Sequence, residues 1–214
     1  MSSRNPAEAG GPSRRQCLIE TASRLFAEQG YEGTTIRQIA RNCGVTEAAI
    51  YKHFEGKVHL YEEVIRHKSH QHEIRMFLSE QGELDTMEAV LFTVARHILS
   101  TARQDPDLIR MLLYSSLEGF RGSTLLYREF RQPYIHFLRE ELRRRIALGE
   151  IRQVNPFITS RCFVGMVMDC ALNVELWNNL ESTAYSAEAV IANNVPIFAR
   201  GLLQGERDPG AELH

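Results

Sequence analysis

The sequence predicts an all-α protein, with a small three-helix unit at the N-terminus followed by a larger helical body, about nine helices in all. Apolar residues recur at the three- and four-residue spacing of a helix face through nearly every segment, and no stretch alternates as a half-buried strand does. Helix-start signals punctuate the chain at Ser13, Thr35, Thr46, Asp105 before Pro106, and Asn155 before Pro156. A length of 214 residues exceeds one minimal module and suits a small head joined to a larger body.

In chain order, residues 1–12 and 205–214 are rich in Gly, Pro and charge and read as mobile tails. The first helix starts after Ser13 and runs to Gly30, with Leu18, Ala22, Leu25 and Phe26 on one face. Thr35 opens a short helix, and Gln38 three residues later completes a capping box. That helix ends near Asn42, Cys43 and Gly44, and Thr46 caps another that reaches Phe54. A long helix is expected from Lys57 to Leu78, its core face running Leu60, Val64, His67, Gln71, Ile74 and Leu78. Further helices follow over 84–103, over 106–118, over 123–148 with an interruption at Pro133, from Asn155 to Asn179, and over 186–204 with a kink at Pro196.

The apolar fraction of 43% is enough for a sizeable core. A net charge of −2 argues against a protein that coats nucleic acid indiscriminately, yet a specific binder needs only a locally positive face. Residues 13–60 hold seven bases against five acids, a net +2, whereas residues 154–214 hold three arginines against seven acids, a net −4. No segment approaches 18 consecutive apolar residues, so no membrane span is expected. The N-terminus has no apolar h-region, which makes the cytoplasm the expected compartment, with association to the nucleoid when DNA is bound. Cys17, Cys43, Cys162 and Cys170 form no CxxC pair; they read as small buried apolar side chains, with a Cys162–Cys170 redox pair as the alternative. Neither a nucleophile elbow, a phosphate loop nor a supported carboxylate pair stands out, so no enzyme and no cofactor is expected. Glu63, His67 and His70 share a helix face, but three ligands on one helix rarely close a tetrahedral metal site, and no metal is expected.

Residues 34–54, TTIRQIARNCGVTEAAIYKHF, have the pattern of a helix-turn-helix. Ala40 is small where two helices cross, and Gly44 can take the positive φ needed for the turn. Ile36, Ile39, Val45 and Ile50 supply the apolar contact that holds the crossing angle. Thr46 caps the second helix, leaving its outward side chains free to face DNA. By itself the pattern also suits an ordinary helical hairpin.

The flanks narrow that choice. From Ala22 to Tyr61 the chain reads ASRLFAEQGYEGTTIRQIARNCGVTEAAIYKHFEGKVHLY. With Leu25-Phe26, Gly30-Tyr31, Thr34-Thr35, Ile39-Ala40, Gly44-Val45-Thr46, Tyr51, His53-Phe54, Lys57 and Leu60 in order, it closely resembles the DNA-binding domain of the TetR/AcrR family of bacterial regulators. The resemblance implies a helix-turn-helix DNA-binding domain over 13–56 and a helical effector-binding and dimerisation domain over 57–204. It implies that Thr35, Thr46, Tyr51, His53 and Lys57 meet phosphates, and that Arg37, Glu47, Ala48, Ala49 and Lys52 face bases. Glu47 has a second reading, as an acid that simply favours the helix N-terminus. The implied function is a sequence-specific transcriptional regulator, a repressor released from a pseudo-palindromic operator by a small, largely hydrophobic effector. The alternative is a DNA-bound adaptor that recruits a protein partner and takes no small molecule.

For the body, His67, Gln71, Phe92, His97, Met111, Tyr114, Phe137, Met166, Asp169 and Trp177 are the candidate ligand contacts, although aromatics and methionines at helical spacing also suit plain core. His67 and Gln71 interrupt an apolar stripe, and an inter-helix hydrogen bond is the alternative to a ligand there. Asp169 has the further option of pairing with Arg96 or Arg161. The resemblance places a homodimer interface on the last two helices, where Ile158, Cys162, Gly165, Leu172, Leu176, Ala192, Val195 and Leu202 are the candidates. The run Arg139, Arg143, Arg144, Arg145 reads as a solvated helix face.

Overall fold

The computed structural model describes residues 13–119, 121–177 and 185–203. Among them there are helices and no strand. In order these are α1 (Arg14–Gly33), α2 (Ile36–Asn42), α3 (Glu47–Tyr51), α4 (Lys57–His72), α5 (Ile74–Ser79), α6 (Met87–Gln104), α7 (Pro106–Glu118), α8 (Arg121–Leu126), a π-helical turn (Tyr127–Arg131), α9 (Gln132–Ala147), α10 (Pro156–Leu172) with a second π turn (Asn173–Trp177), and α11 (Ala187–Leu202). Both tails and the expected helix end at Asn179 lie outside the described residues.

The start signals act as the sequence predicts. Side-chain oxygens of Ser13, Thr35, Thr46, Thr86, Asp105, Asn155 and Ser186 each accept a backbone N–H of the helix that follows. α1, α2 and α3 close around Leu18, Phe26, Ile39, Ile50 and Phe54, all essentially inaccessible to solvent. α4 packs on α1, while the body stacks α6, α9, α10 and α11 against one another.

Three departures from expectation have physical causes. The helix expected over Lys57–Leu78 breaks at Glu73, which adopts the left-handed conformation (φ 44°, ψ 34°). Lys68 and His72 are both tied to Asp105 at the head of α7, whereas Ile74 and Leu78 are buried and α5 packs on α9. One straight rod could not serve both neighbours, and the turn at Glu73 redirects the chain. Counting α4–α5 and α8–α9 as single interrupted helices gives nine among the described residues, the number expected.

The second is the form of the interruption expected at Pro133, which is a widening of the helix in the turn before the proline. A proline here cannot donate to the carbonyl of Glu129, so the helix widens and the N–H of Gln132 bonds Tyr127 instead, five residues back. The third is Arg145, 2% exposed rather than solvated. It falls three and seven residues after Leu142 and Leu138, on the inward face of α9, and bonds the carbonyls of Leu84 and Asp85 and the carboxylate of Glu150. Around Pro196, by contrast, α11 runs unbroken from Ala187 to Leu202.

α7 is held at both ends. At its start, burial pushes the Asp105 carboxyl up, but hydrogen bonds from His72, Lys68 and the Leu108 N–H, with the Lys68 charge, outweigh that and hold it at about 2. At its end, Glu118 Oε2 and Oε1 accept the backbone N–H groups of Tyr31 (3.1 Å) and Glu32 (3.0 Å). Those amides face Glu118 where α1 breaks at Gly30, whose φ of 73° and ψ of 178° suit glycine alone. The last turn of α1 then reaches Gly33.

Gly30→Ala should therefore be costly out of proportion to one methyl group. Its Cβ would meet Tyr114 Cδ1 at 2.9 Å as well as the Glu118 carboxylate. A loss of about 2 kcal/mol or more is expected in urea unfolding, against about 1 kcal/mol for Gly149→Ala, which has the backbone strain but open space around its Cβ. A second prediction concerns His97, whose ring stacks on Phe77 at 3.8 Å and bonds the Tyr134 hydroxyl at 2.7 Å. Burial, helped by the charges of His72 and Arg96, lowers its pKa from 6.5 to about 4. The unfolded chain then takes up this proton first, so stability is full above about pH 6.5 and is lost as pH falls towards 4. Measured by urea unfolding at stepped pH, His97→Phe should flatten that slope while leaving stability at pH 7.5 within about 1 kcal/mol.

Candidate functional site

The head presents α2 and α3 outward. Thr35 and Gln38 form a reciprocal capping box, with Gln38 N–H to Thr35 Oγ1 at 3.2 Å and Thr35 N–H to Gln38 Oε1 at 2.8 Å. Gly44 makes the turn with a φ of 64°, and Thr46 Oγ1 accepts the N–H of Ala49 at 3.2 Å. Ile50 is completely buried, which points the rest of this short helix away from the core. Of the sequence-predicted DNA contacts, Thr35, Arg37, Thr46, Glu47, Ala48, Tyr51, Lys52 and His53 are exposed, and Ala49 and Lys57 are half-buried.

Charge on this surface is uneven in a useful way. Arg15 is paired with Glu63, Arg24 with Glu28, and Arg66 with Glu62 and Glu63. Arg37, Arg41 and Lys52 have no ion pair among the described residues, leaving three uncommitted cations around α2 and α3. Arg41, not singled out by the sequence analysis, is exposed and follows Arg37 by one helical turn. Lys57 is engaged inside the head: its Nζ donates to the Tyr31 carbonyl at 2.8 Å and sits 4.0 Å from the Tyr31 ring centroid. Tyr31 thus joins the start of α4 to the α1 break that Glu118 holds.

The body contains a cavity of about 500 Å³ between α7, the α8–π segment and α10. Ile109, Leu112, Leu113, Met168 and Leu172 give it apolar walls, and Ser115, Ser116, Thr124, Tyr127 and Arg131 are its polar lining. The π turn forced by Pro133 begins at Tyr127 and ends at Arg131, so both polar groups owe their placement to that proline. Leu172, a candidate for the dimer face, lines the cavity, and Gly165 lies beneath Arg131, where a Cβ would come within 3.3 Å of Nη2.

The ten candidate ligand residues are not brought together there. His67 Nε2 bonds Gln16 Nε2 at 3.2 Å across to α1, and Gln71 is exposed beside Asp105. His97 is enclosed by Phe77 and Tyr134, Met111 is buried, and Tyr114 donates to the Glu28 carbonyl at 3.1 Å. Phe92 lines a second pocket, of about 410 Å³, between α6 and α11, Phe137 lines a more open one beside α5, and Met166 packs half-buried on the core. Asp169 is exposed and accepts from Asn173, with no pair to Arg96 or Arg161 among the described residues, and Trp177 is 41% exposed. The cysteines are less enclosed than expected: Cys17, Cys43 and Cys170 are half-buried and Cys162 is exposed on the outer face of α10. Among the described residues no cluster of His, Cys, Asp or Glu could hold a metal ion.

On α10 and α11, Ile158, Cys162 and Ala192 are exposed, Leu176 is half-buried, and Val195 and Leu202 turn inward to the core. The segment Pro156–Trp177 is long and apolar enough, by length and composition, to cross a membrane, and only 28% of it is buried. Phe157, Ile197 and Leu203 extend the same uncovered apolar surface.

Comparison with known proteins agrees with this geometry. The family model described as bacterial regulatory proteins, tetR family, matches residues 18–64. The chain is 31% identical over 138 residues to the uncharacterized HTH-type transcriptional regulator TtgW of Pseudomonas putida, covering 64% of this chain and 97% of that one. It is 28% identical over 156 residues to the HTH-type transcriptional repressor AcnR of Corynebacterium diphtheriae, covering 73% and 77%. The solved structure of AibR in complex with isovaleryl coenzyme A and operator DNA superposes with a TM-score of 0.69 at 24% identity, covering 87% of this chain and 98% of that one. With the helix-turn-helix, the helical body and a relative matched over nearly its whole length, the chain belongs to the TetR family of bacterial regulatory proteins and is a DNA-binding transcriptional regulator.

Proposed function

We propose that this regulator is a homodimeric repressor, released from a pseudo-palindromic operator when a small, largely hydrophobic effector fills the α7–α10 cavity. One observation carries the reading: α7 is a wall shared by the cavity and the head. Ile109, Leu112, Leu113 and Ser116 repeat at i, i+3, i+4 and i+7 along its cavity face. Tyr114 and Glu118, on another face, hold Glu28, Tyr31 and Glu32 at the end of α1. An effector that displaces the cavity face moves the atoms that orient the head. It releases DNA only to the extent that it prefers the non-binding arrangement.

The domain division follows from these roles, with 13–56 reading DNA and 57–204 binding effector and partner copy. Thr35, Thr46, Tyr51 and His53 meet phosphates, joined by Arg41, while Arg37, Glu47, Ala48, Ala49 and Lys52 face bases. Lys57, committed to Tyr31, sets the start of α4 and presents what remains of its charge to the backbone. The uncovered apolar face of α10 and α11 is read as the two-fold interface rather than a membrane span, because Arg161, Asp169 and Glu175 interrupt it. Regulation of transcription puts the protein in the cytoplasm with the DNA, and no catalytic role is assigned to it. An adaptor without a small-molecule effector would favour a filled body, and the 500 Å³ cavity weighs against that alternative.

Selection of bound duplexes from a random pool, at stated salt, tests the reading. An enriched palindrome with half-sites about one helical turn apart is expected, and a non-palindromic or absent consensus would overturn it. On the selected site, Arg41→Ala should weaken binding to all sequences alike and reduce the slope of log affinity against log salt by about 1. Glu118→Gln should change operator affinity although the residue touches no DNA. An unchanged affinity, with and without effector, would remove α7 from the coupling route.

A further inference from the structure

We propose that the effector is an amphipathic carboxylic acid, its carboxylate anchored by Arg131 and its apolar part lying among the leucines of α7 and α10. The proposal rests on the reading of this cavity as the effector site and adds the chemical class of the ligand.

The argument begins with an unbalanced charge. Arg131 lines the cavity half-buried, and its Nε is buried with no hydrogen-bond partner. No ion pair joins its guanidinium among the described residues, although Arg128, the neighbouring arginine of the same π turn, is paired with Glu129. A half-buried guanidinium whose Nε lacks a partner is unfavourable, and a bound anion is the direct way to relieve it. Room is made for the group by Gly165, since any side chain there would press on Nη2.

Among the other polar groups around the cavity, the hydroxyl of Tyr127 has a proton to offer an anion. The Tyr127 hydroxyl accepts from Arg161 Nη1 at 2.7 Å, which leaves its own proton to donate. Ser115 and Ser116 already donate to the Leu112 carbonyl. Among the described residues no Asp or Glu lines the cavity, and a cationic ligand finds no carboxylate there to neutralise it. Apart from these groups and the Thr124 hydroxyl, the side chains of the walls are hydrocarbon and thioether. A single guanidinium matches one carboxylate through two parallel hydrogen bonds. It does not match a polyphosphate head, which needs several cations.

The test uses the purified full-length protein with three probes of one chain length: decanoate, decanol and decylamine. Binding is read by calorimetry, and thermal unfolding is read alongside. Decanoate is expected to bind at least about tenfold more tightly than decanol, with decylamine weakest. Arg131→Gln should abolish that preference while changing decanol binding less than about twofold. Because Arg131 has no ion pair among the described residues, the variant should unfold at or above the wild-type temperature without ligand and gain no more from decanoate than from decanol. Equal binding of decanoate and decanol, or equal losses for both in Arg131→Gln, would overturn the anion anchor while leaving the cavity as an apolar effector site. Binding of none of the three, or binding of all three unaffected by Leu112→Trp, would instead overturn the reading of the cavity itself.

Discussion

The arrangement of this molecule depends on a carboxylate placed where a helix least tolerates one. Glu118 is the last residue of α7, at the negative end of the helix dipole, and an acid there is unfavourable unless something else neutralises it. The N–H groups of Tyr31 and Glu32 do so. They are available only because Gly30 breaks α1 in a conformation that other residues avoid, and only because glycine leaves space for the carboxylate. Tyr31 in turn offers its carbonyl to Lys57, the first residue of α4. Head, linker helix and body thus meet at one set of backbone groups.

α7 works as a beam because its opposite end is equally fixed. Asp105 caps the helix and also binds Lys68 and His72, late on α4. The two ends of α7 therefore hold the two ends of α4, and a displacement of one helix is passed to the other. Between those supports α7 forms part of the cavity wall. The left-handed turn at Glu73 falls immediately after His72, outside this frame, so α5 is free to follow α9 without disturbing it.

The head was legible in the sequence because its determinants are local. Thr35 with Gln38, Gly44, Thr46 and Ile50 act on their own turn or its immediate neighbour, and each sits as its residue type implies. The body was legible as helices but not as a site. Leu112 and Leu113 line the cavity whereas Leu108 and Leu138 fill the core, and nothing in a leucine tells the two apart. Large aromatics misled for the same reason, as neither Phe92 nor Trp177 lines this cavity. Two signals were available. An acid closing a helix, at Glu118, asks for a partner, and Arg131 stands two residues before a proline that must distort its helix. Arg145 shows that even charge is a poor guide to exposure once its position on a helix is counted.

The uncovered face of α10 and α11 has a consequence at the level of inheritance. Where copies of one chain join through a face that is remote from the head, a damaged α3 does not prevent pairing with an intact copy. In a cell making both forms at equal levels, random pairing would leave only about a quarter of the dimers with two working heads. A lesion in the head would then behave as dominant, while a lesion that unfolds the body, and so never pairs, would be recessive.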